Sequence, residues 1–217
     1  MERNSLVVPL SDLKSLGTPT ICEAMGRRGN MCSEIKPIWA GAKIAGTAFT
    51  VFCHVGDNLT LHKALALANP GDVLVVNAGG YKECGMWGEI MSLAAQKKGI
   101  EGLVVDGAVR DLVGIAGMKF PVFARALSPS GTTKETLSSI NKPIMCGGTL
   151  VNPGDIVVGD DDGVVVIPQQ EMRTAVARSK ERAKKEEEVR KLIQQGKSTL
   201  EIYGFDKVIK QKYPPER

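Results

Sequence analysis

The chain has 217 residues, 43% of them hydrophobic and 24% charged, with a formal net charge of +4. A chain of that length can bury a full core unaided, and that composition excludes a disordered protein. Aromatic residues are only 5%, too few for stacking platforms on single strands, and the lysines and arginines concentrate after residue 172, where they alternate with glutamate. That alternation reads as a solvated helix face, so no nucleic-acid partner is expected. The five cysteines (Cys22, Cys32, Cys53, Cys84, Cys146) are odd in number, widely spaced and without a C-x-x-C. They read as free thiols in a reducing compartment, not as a disulfide framework or zinc site. The start, Met1-Glu2-Arg3-Asn4, is polar and shows no signal peptide. No apolar run reaches the roughly 18 residues of a membrane span. A cytoplasmic protein with no membrane partner is the expectation.

In chain order, Leu10 to Gly26 reads as two helical pieces. Ser11 caps the first; Thr18 as N-cap with Pro19 at the first helical position opens the second, and Gly26 ends it. Ile44 to Cys53 has strand character. Asp57 then caps a helix running through Leu59, Leu61, Leu65 and Leu67 to Pro70. Pro70-Gly71-Asp72 is a turn into the buried strand Val73 to Val76. A glycine-rich loop, Asn77 to Gly88, precedes a helix from Glu89 to Lys98 closed by Gly99. Leu103 to Val105 and Pro121 to Ala124 read as further strands. Pro153-Gly154-Asp155 repeats the earlier turn. Asp160-Asp161-Asp162-Gly163 then joins Ile156 to Val158 and Val164 to Ile167 in a β-hairpin. Gln169 to Gln195 is a long, charged helix with i,i+4 pairs such as Glu186–Arg190. Ser198-x-x-Glu201 is a capping box for a last short helix, and Pro214-Pro215 ends the order. Strands interleaved with helices predict an α/β or α+β layered fold with a C-terminal helical arm from about residue 169.

One constellation carries chemistry. A helix followed by a strand brings the helix N-terminus and the strand C-terminus to one end of the layer, so Glu89, Asp106, Arg110 and Asp111 can converge. The backbone N–H groups of Gly88, Glu89, Ile90 and Met91 make an anion cradle. Arg110 can grip a carboxylate or enolate with its planar fork. Asp111 can hold a hard divalent cation largely hydrated, as magnesium prefers, with Glu89 assisting directly or through water. The residues alone leave two readings open, this site or a structural ion pair at a strand end, and Asp106 equally reads as the cap of the Gly107 turn. Other features are weaker. His54 and His62, eight apart, lack a metal spacing and read as structural. The three aspartates at 160–162 read as a turn before a metal site. The glycines at 79, 80, 85 and 88 make no dinucleotide fingerprint. No nucleophile elbow is present, and no lysine is placed for Schiff-base chemistry.

Glu89, then twenty residues, then Arg110-Asp111 resembles the D-x20-R-D signature of the class II 4-hydroxy-4-methyl-2-oxoglutarate / 4-carboxy-4-hydroxy-2-oxoadipate aldolases, which share a fold with the RraA-like regulators of RNase E. Thr18-Pro19-Thr20 with Glu23-Ala24-Met25-Gly26, Gly46-Thr47-Ala48, Asp57-Asn58, both Pro-Gly-Asp turns, Asp106-Gly107 and Gly159-Asp160-x-Asp162-Gly163-Val164 are similar in the same order. One departure is Glu89, which stands where that family has aspartate. The resemblance implies an RraA-like swivelling β/β/α sandwich over residues 1–168 and a helical arm over 169–217 packing on a neighbouring subunit. It implies a homotrimer or hexamer with active sites between subunits, and Mg2+ or Mn2+ as cofactor. The activity implied is cleavage of a small 4-hydroxy-2-oxo acid to pyruvate, with oxaloacetate decarboxylation beside it. The roles implied are Arg110 and Glu89 in catalysis, Asp111 on the metal, and Gly88, Glu89, Ile90, Met91 and Arg110 on the substrate. A glutamate from the neighbour's arm, Glu186 or Glu187, is the further catalytic candidate. The rival reading is an RraA-like inhibitor of an RNase E-type ribonuclease. Its shorter members lack the arm, which favours the aldolase branch. A methyltransferase is disfavoured by the absence of a glycine-rich methyl-donor loop.

Overall fold

The structure, a computed structural model, describes residues 10–213. The polar start and Pro214-Pro215 therefore lie outside the described residues. Two short helices open it, α1 (Leu10–Leu16) and α2 (Thr18–Ala24). There follow β1 (Lys36–Pro37), β2 (Ile44–Phe52), α3 (Leu59–Leu67), β3 (Asp72–Asn77), α4 (Glu89–Lys98), β4 (Gly102–Val109), α5 (Leu112–Gly117) and β5 (Val122–Leu127). The chain continues through β6 (Ile144–Cys146), β7 (Thr149–Val151), β8 (Ile156–Asp160) and β9 (Gly163–Ile167). It closes with the arm: α6 (Met172–Gln194), α7 (Thr199–Tyr203) and α8 (Phe205–Lys212).

Seven strands form one sheet in the order β1-β5-β4-β3-β2-β8-β9. The β2–β3, β3–β4 and β4–β5 pairs are parallel, as crossover helices α3, α4 and α5 demand. The sheet curls on itself. Val166 N donates to Gly29 O and Met31 N to Val164 O, and six residues on the same segment pairs with β5 as β1. The stretch 29–37 thus spans from one edge strand to the other and nearly closes the sheet.

The strand side chains divide by the period of two. On β3, Val73 and Val75 enter an interior core with Val104, Phe123, Val157 and Val164. Leu74 and Val76 enter an outer core beneath α3, α4 and α5, with Leu61, Trp87, Ile115 and Phe120. A third core, built from Val158, Val165 and Ile167, is covered by α1, α2 and α6 through Leu13, Ile21 and Val176. Burial on both faces explains why β3 and β4 read as unbroken apolar runs.

Local chemistry sets the boundaries. Asn69-Pro70-Gly71-Asp72 and Asn152-Pro153-Gly154-Asp155 are the same turn used twice, with φ +84° at Gly71 and +91° at Gly154. In each the aspartate carboxylate accepts the asparagine N–H, at 2.7 and 2.8 Å. The Asp160–Gly163 hairpin forms as expected. Its aspartates bind protein donors: Asp160 accepts Thr18 N at 2.7 Å and Thr18 Oγ1 at 2.6 Å, and Asp161 accepts Gly41 N at 2.8 Å. This corrects the reading of Thr18 as an N-cap. Gly17 holds that position, and the Thr18 hydroxyl is committed to the hairpin. The β6–β7 hairpin and helix α5, which no periodicity marked, are additions.

On the arm the capping box at Ser198 and Glu201 forms as read. The Glu186–Arg190 pair does not. Glu186 pairs with Arg182 at 2.9 Å and Arg190 with Glu187 at 3.1 Å, competing partners on the same exposed face. Exposed pairs of this kind are each worth only about 0.3–0.5 kcal/mol, so the exchange costs little. No described helix is long and apolar enough to cross a membrane. All five cysteines are free thiols, and burial pushes the Cys53 thiol up to about 12.

Candidate active site

Strand β4 ends at Val109, and the next two residues turn across the N-terminus of α4. Arg110 N donates to Trp87 O at 2.9 Å, which staples this turn to the loop leading into α4. Asp111 sits at φ +61°, a conformation that asparagine and aspartate tolerate better than other side chains, and caps α5. Its Oδ2 accepts the Glu89 N–H at 3.1 Å and lies 3.5 Å from Arg110 Nε. The carboxylate therefore occupies the positive end of α4 and holds one of the four cradle N–H groups itself.

Glycines make the close approach possible. A Cβ on Gly88 would collide with Asp111 Oδ2, and one on Gly85 would press on Arg110 Cβ and Ser128 O at 2.9 Å. Trp87 between them is buried. Its Nε1 donates to Ser92 Oγ at 2.6 Å, Ser92 Oγ donates to Gly88 O at 3.1 Å, and its ring stacks on Phe120 at 6.5 Å. The entrance to α4 is thus fixed by packing as well as by its own hydrogen bonds.

These groups face a cleft of about 200 Å³. Its near wall is Gly85, Gly88, Ile90, Met91, Arg110 and Asp111. Its other side is Asn58 and His62 from the start of α3, and Gly131, Thr132 and Lys134 from the irregular segment between β5 and β6. Asn58 is buried. Its amide donates to Met86 O at 3.0 Å, which fixes the amide's orientation, and its Oδ1 has no hydrogen-bond partner among the described residues. Partial burial, and then the charge of Lys134, hold the His62 imidazolium below its usual range.

The structure brings Gly88, Ile90, Met91, Arg110 and Asp111 together. It does not bring Asp106 to them. Asp106 shares the inward parity of Val104, pairs with Arg125 and accepts Gly147 N at 2.8 Å, so it braces the interior. The Glu89 side chain also departs from expectation. Its backbone joins the cradle, but its carboxylate lies over α5 where a Cβ on Gly114 would be, and it does not line the cleft. Glu186 and Glu187 lie on α6 and do not line the cleft of their own chain. Thr132 and Lys134 were missed, Asn58 was named only within the Asp57-Asn58 match, and His62, read as structural, lines the cleft. The adjacency of Asn58 and His62 to a helix start was the one available signal; the segment holding Thr132 and Lys134 has no periodicity.

The acids present suit a largely hydrated divalent cation. Among the described residues no three His, Cys, Asp or Glu side chains gather, and Asp111 is the only carboxylate on the cleft. One carboxylate with an exposed face and water completing the shell fits magnesium or manganese, and does not fit zinc.

Known proteins resemble this chain in sequence and in fold. The model of the family described as RraA-like, Aldolase/RraA, matches residues 18–166. A relative in Halalkalibacterium halodurans, named "Putative 4-hydroxy-4-methyl-2-oxoglutarate aldolase", is 34% identical over 89% of this chain and 92% of its own length. The crystal structure of an uncharacterized protein from Pseudomonas syringae pv. tomato superposes with a TM-score of 0.79 at 27% identity, over 87% of this chain and 93% of that one. Streptomyces coelicolor RraAS2, described as an unusual member of the RNase ES inhibitor RraA protein family, has a TM-score of 0.73 at 29% identity, over 83% of this chain and 96% of its own. That match extends past the stretch 18–166 and into the arm, so the arm does not separate enzyme-named from inhibitor-named relatives.

Proposed function

This chain belongs to the RraA-like family, and on that premise we propose that it is a class II pyruvate aldolase. It would cleave 4-hydroxy-2-oxo acids of the 4-hydroxy-4-methyl-2-oxoglutarate type and decarboxylate oxaloacetate as a second activity. The observation that carries the reading is the meeting of Arg110, Asp111 and the first turn of α4 on one cleft.

The free N–H groups at the start of α4 and the Arg110 guanidinium bind the 2-oxo acid end of the substrate. In the cleavage, a base takes the 4-hydroxyl proton, the C3–C4 bond breaks, and its electron pair passes into the enolate of pyruvate. Protonation at C3 then gives pyruvate, and the other fragment leaves as a carbonyl compound. Arg110 offsets the charge that grows on the enolate oxygen, a contribution largest at the transition state. Asp111 would hold the Mg2+ or Mn2+, which supplies further positive charge beside the oxo group. Oxaloacetate would lose carbon dioxide to the same enolate without needing the base.

Among the described residues Asp111 is the one acid lining the cleft, so the base is a water held in the cleft or Glu186 or Glu187 of a neighbouring copy. The reading therefore includes a homotrimer or hexamer in which the arm beyond Ser179, the last residue of α6 buried in its own chain, reaches across a subunit boundary. The half-exposed Tyr203, Phe205, Val208 and Ile209 on that arm suit such packing.

The test is pyruvate release, coupled to lactate dehydrogenase and NADH, with magnesium and then with EDTA. Metal-dependent release from 4-hydroxy-4-methyl-2-oxoglutarate is the expected result. Release from oxaloacetate alone would narrow the proposal to a decarboxylase. No release above the metal-only background would overturn it in favour of a ribonuclease regulator, to be sought by pull-down with an RNase E-type partner.

A further inference from the structure

The far wall of the cleft has no regular secondary structure. Gly131, Thr132 and Lys134 belong to an irregular segment between β5 and β6, yet they must keep a fixed distance from Arg110 for the cleft to have a shape. Apart from Asp57, the segment is tied by a few backbone bonds and by Thr60 of α3, whose Oγ1 accepts Ser138 N at 2.9 Å. Thr133 N donates to Gly56 O at 2.9 Å and Asn58 N to Thr133 O at 3.2 Å.

We propose that Asp57 is the positioning residue that sets this wall and, with it, the affinity of the cleft for its substrate. Asp57 is 1% exposed and does not line the cleft. Its Oδ1 accepts Leu59 N, at the first residue of α3, at 2.8 Å. Its Oδ2 accepts Glu135 N at 2.6 Å, Thr136 N at 2.9 Å and Thr133 Oγ1 at 3.0 Å. One buried carboxylate therefore joins the helix that carries Asn58 and His62 to the segment that carries Thr132 and Lys134.

Asp57 has no cationic partner among the described residues within ion-pair range. A charge this buried is tolerated because four donors replace its water. Only a carboxylate serves here. It accepts on both oxygens, whereas an amide would turn N–H groups toward the donors on one side. Burial pushes the carboxyl up, but the N–H groups of Leu59, Glu135 and Thr136 and the Thr133 hydroxyl outweigh it and hold it at about 2. The clamp is therefore ionised throughout the range in which an enzyme works.

The kinetic part of this inference rests on the aldolase reading; the structural part does not. In Asp57→Asn, amide hydrogen exchange of residues 131–138 should accelerate on the order of tenfold to a hundredfold, the loss of one or two charge-assisted hydrogen bonds. The sheet should keep its wild-type rates. KM for oxaloacetate should rise about tenfold while kcat stays within about threefold, the signature of lost binding that is equal in ground and transition states. Thr133→Val removes one donor and should move both readouts the same way by less, which keeps the test open should Asp57→Asn fail to fold. Exchange at 131–138 unchanged in a folded variant would overturn the proposal. So would acceleration spread evenly over the sheet with kcat and melting temperature falling together, since Asp57 would then only stabilise the fold. A wild-type chain that releases no pyruvate would count against the aldolase reading and the kinetic role, while the exchange rates would still decide whether Asp57 clamps the wall.

Discussion

The two walls of the cleft are fixed by opposite means. The near wall is made from the ends of regular elements, α4 and β4, which come together because Gly85 and Gly88 have no Cβ to keep them apart. The far wall is an irregular segment hydrogen-bonded to the start of α3, chiefly through the buried Asp57 carboxylate and further along through Thr60. Close packing tolerates no added atom, and on this wall it sets the seat of the Asp111 carboxylate on the Glu89 N–H. A hydrogen-bonded clamp tolerates small changes of volume but depends on a charge. Substitutions on the near wall should therefore strike turnover, and disturbances of the far wall should strike affinity.

The largest expected effect is on the near wall. Arg110→Ala and Asp111→Ala should each lower kcat for oxaloacetate by about 10³-fold, the scale of losing a principal electrostatic contributor to an enolate-forming step. Both side chains are partly exposed, at 46% and 41%, so the fold should survive, which circular dichroism can check. Turnover within tenfold of wild type in either variant would remove that residue from the chemistry and blur the contrast between the walls.

A smaller effect, on the same wall, tests packing alone. Gly88→Ala would place a methyl group against the Asp111 carboxylate and displace it from the Glu89 N–H. A displacement near 1 Å can cost on the order of a hundredfold in rate. Gly117→Ala is the control, because nothing lies within 4 Å of a Cβ there. Pyruvate release should fall sharply in the first variant and stay level in the second. Equal rates in both would mean that Asp111 does not need its present seat.

The same division decided what could be read from the sequence. The near wall was legible because its parts are periodic or punctuated. Helix α4 has both its ends as read, from Glu89 to Lys98, and the apolar run of β4 ends where Arg110 and Asp111 follow. Chain order alone then put the helix start beside the strand end. The hairpin at 160–163 and both Pro-Gly-Asp turns were legible for the same reason, since turn chemistry is local. Asp106 was misplaced because a strand's facing depends on parity and bulges, and the β4–β5 register shifts between Val105 and Ala108. Glu89 was misplaced because its extra length finds room over Gly114, a contact between residues 25 positions apart. Thr132 and Lys134 were invisible because hydrogen bonds to a distant aspartate leave no period in the segment that receives them. Asp57 reads from the sequence as the cap of α3, but Asn58 holds the N-cap position, and the bond of Asp57 to Leu59 N is only one of the four it accepts.

The smallest expected effect separates the walls without a substitution. The Asp57 carboxyl is held at about 2, below its ordinary value of 3.8, so the folded state favours the ionised form. A group depressed in this way contributes stability that is full above its unfolded value, near pH 4, and is lost as pH falls through its folded value, near pH 2. Cys53, the titratable neighbour whose pKa Asp57 helps to raise, is pushed up to about 12, chiefly by burial, and so stays uncharged across that window. Between pH 4 and pH 2 the exchange of residues 131–138 should therefore accelerate before that of α4 and β4, once the intrinsic acid dependence of exchange has been divided out. Asp57→Asn, which has no carboxyl to protonate at that position, should begin with the fast rates and show no such step. Parallel acid profiles in the two proteins would mean that the far wall is held by the bonds that carry no charge, Thr133 to Gly56, Asn58 to Thr133 and Ser138 to Thr60, and not by the Asp57 carboxylate.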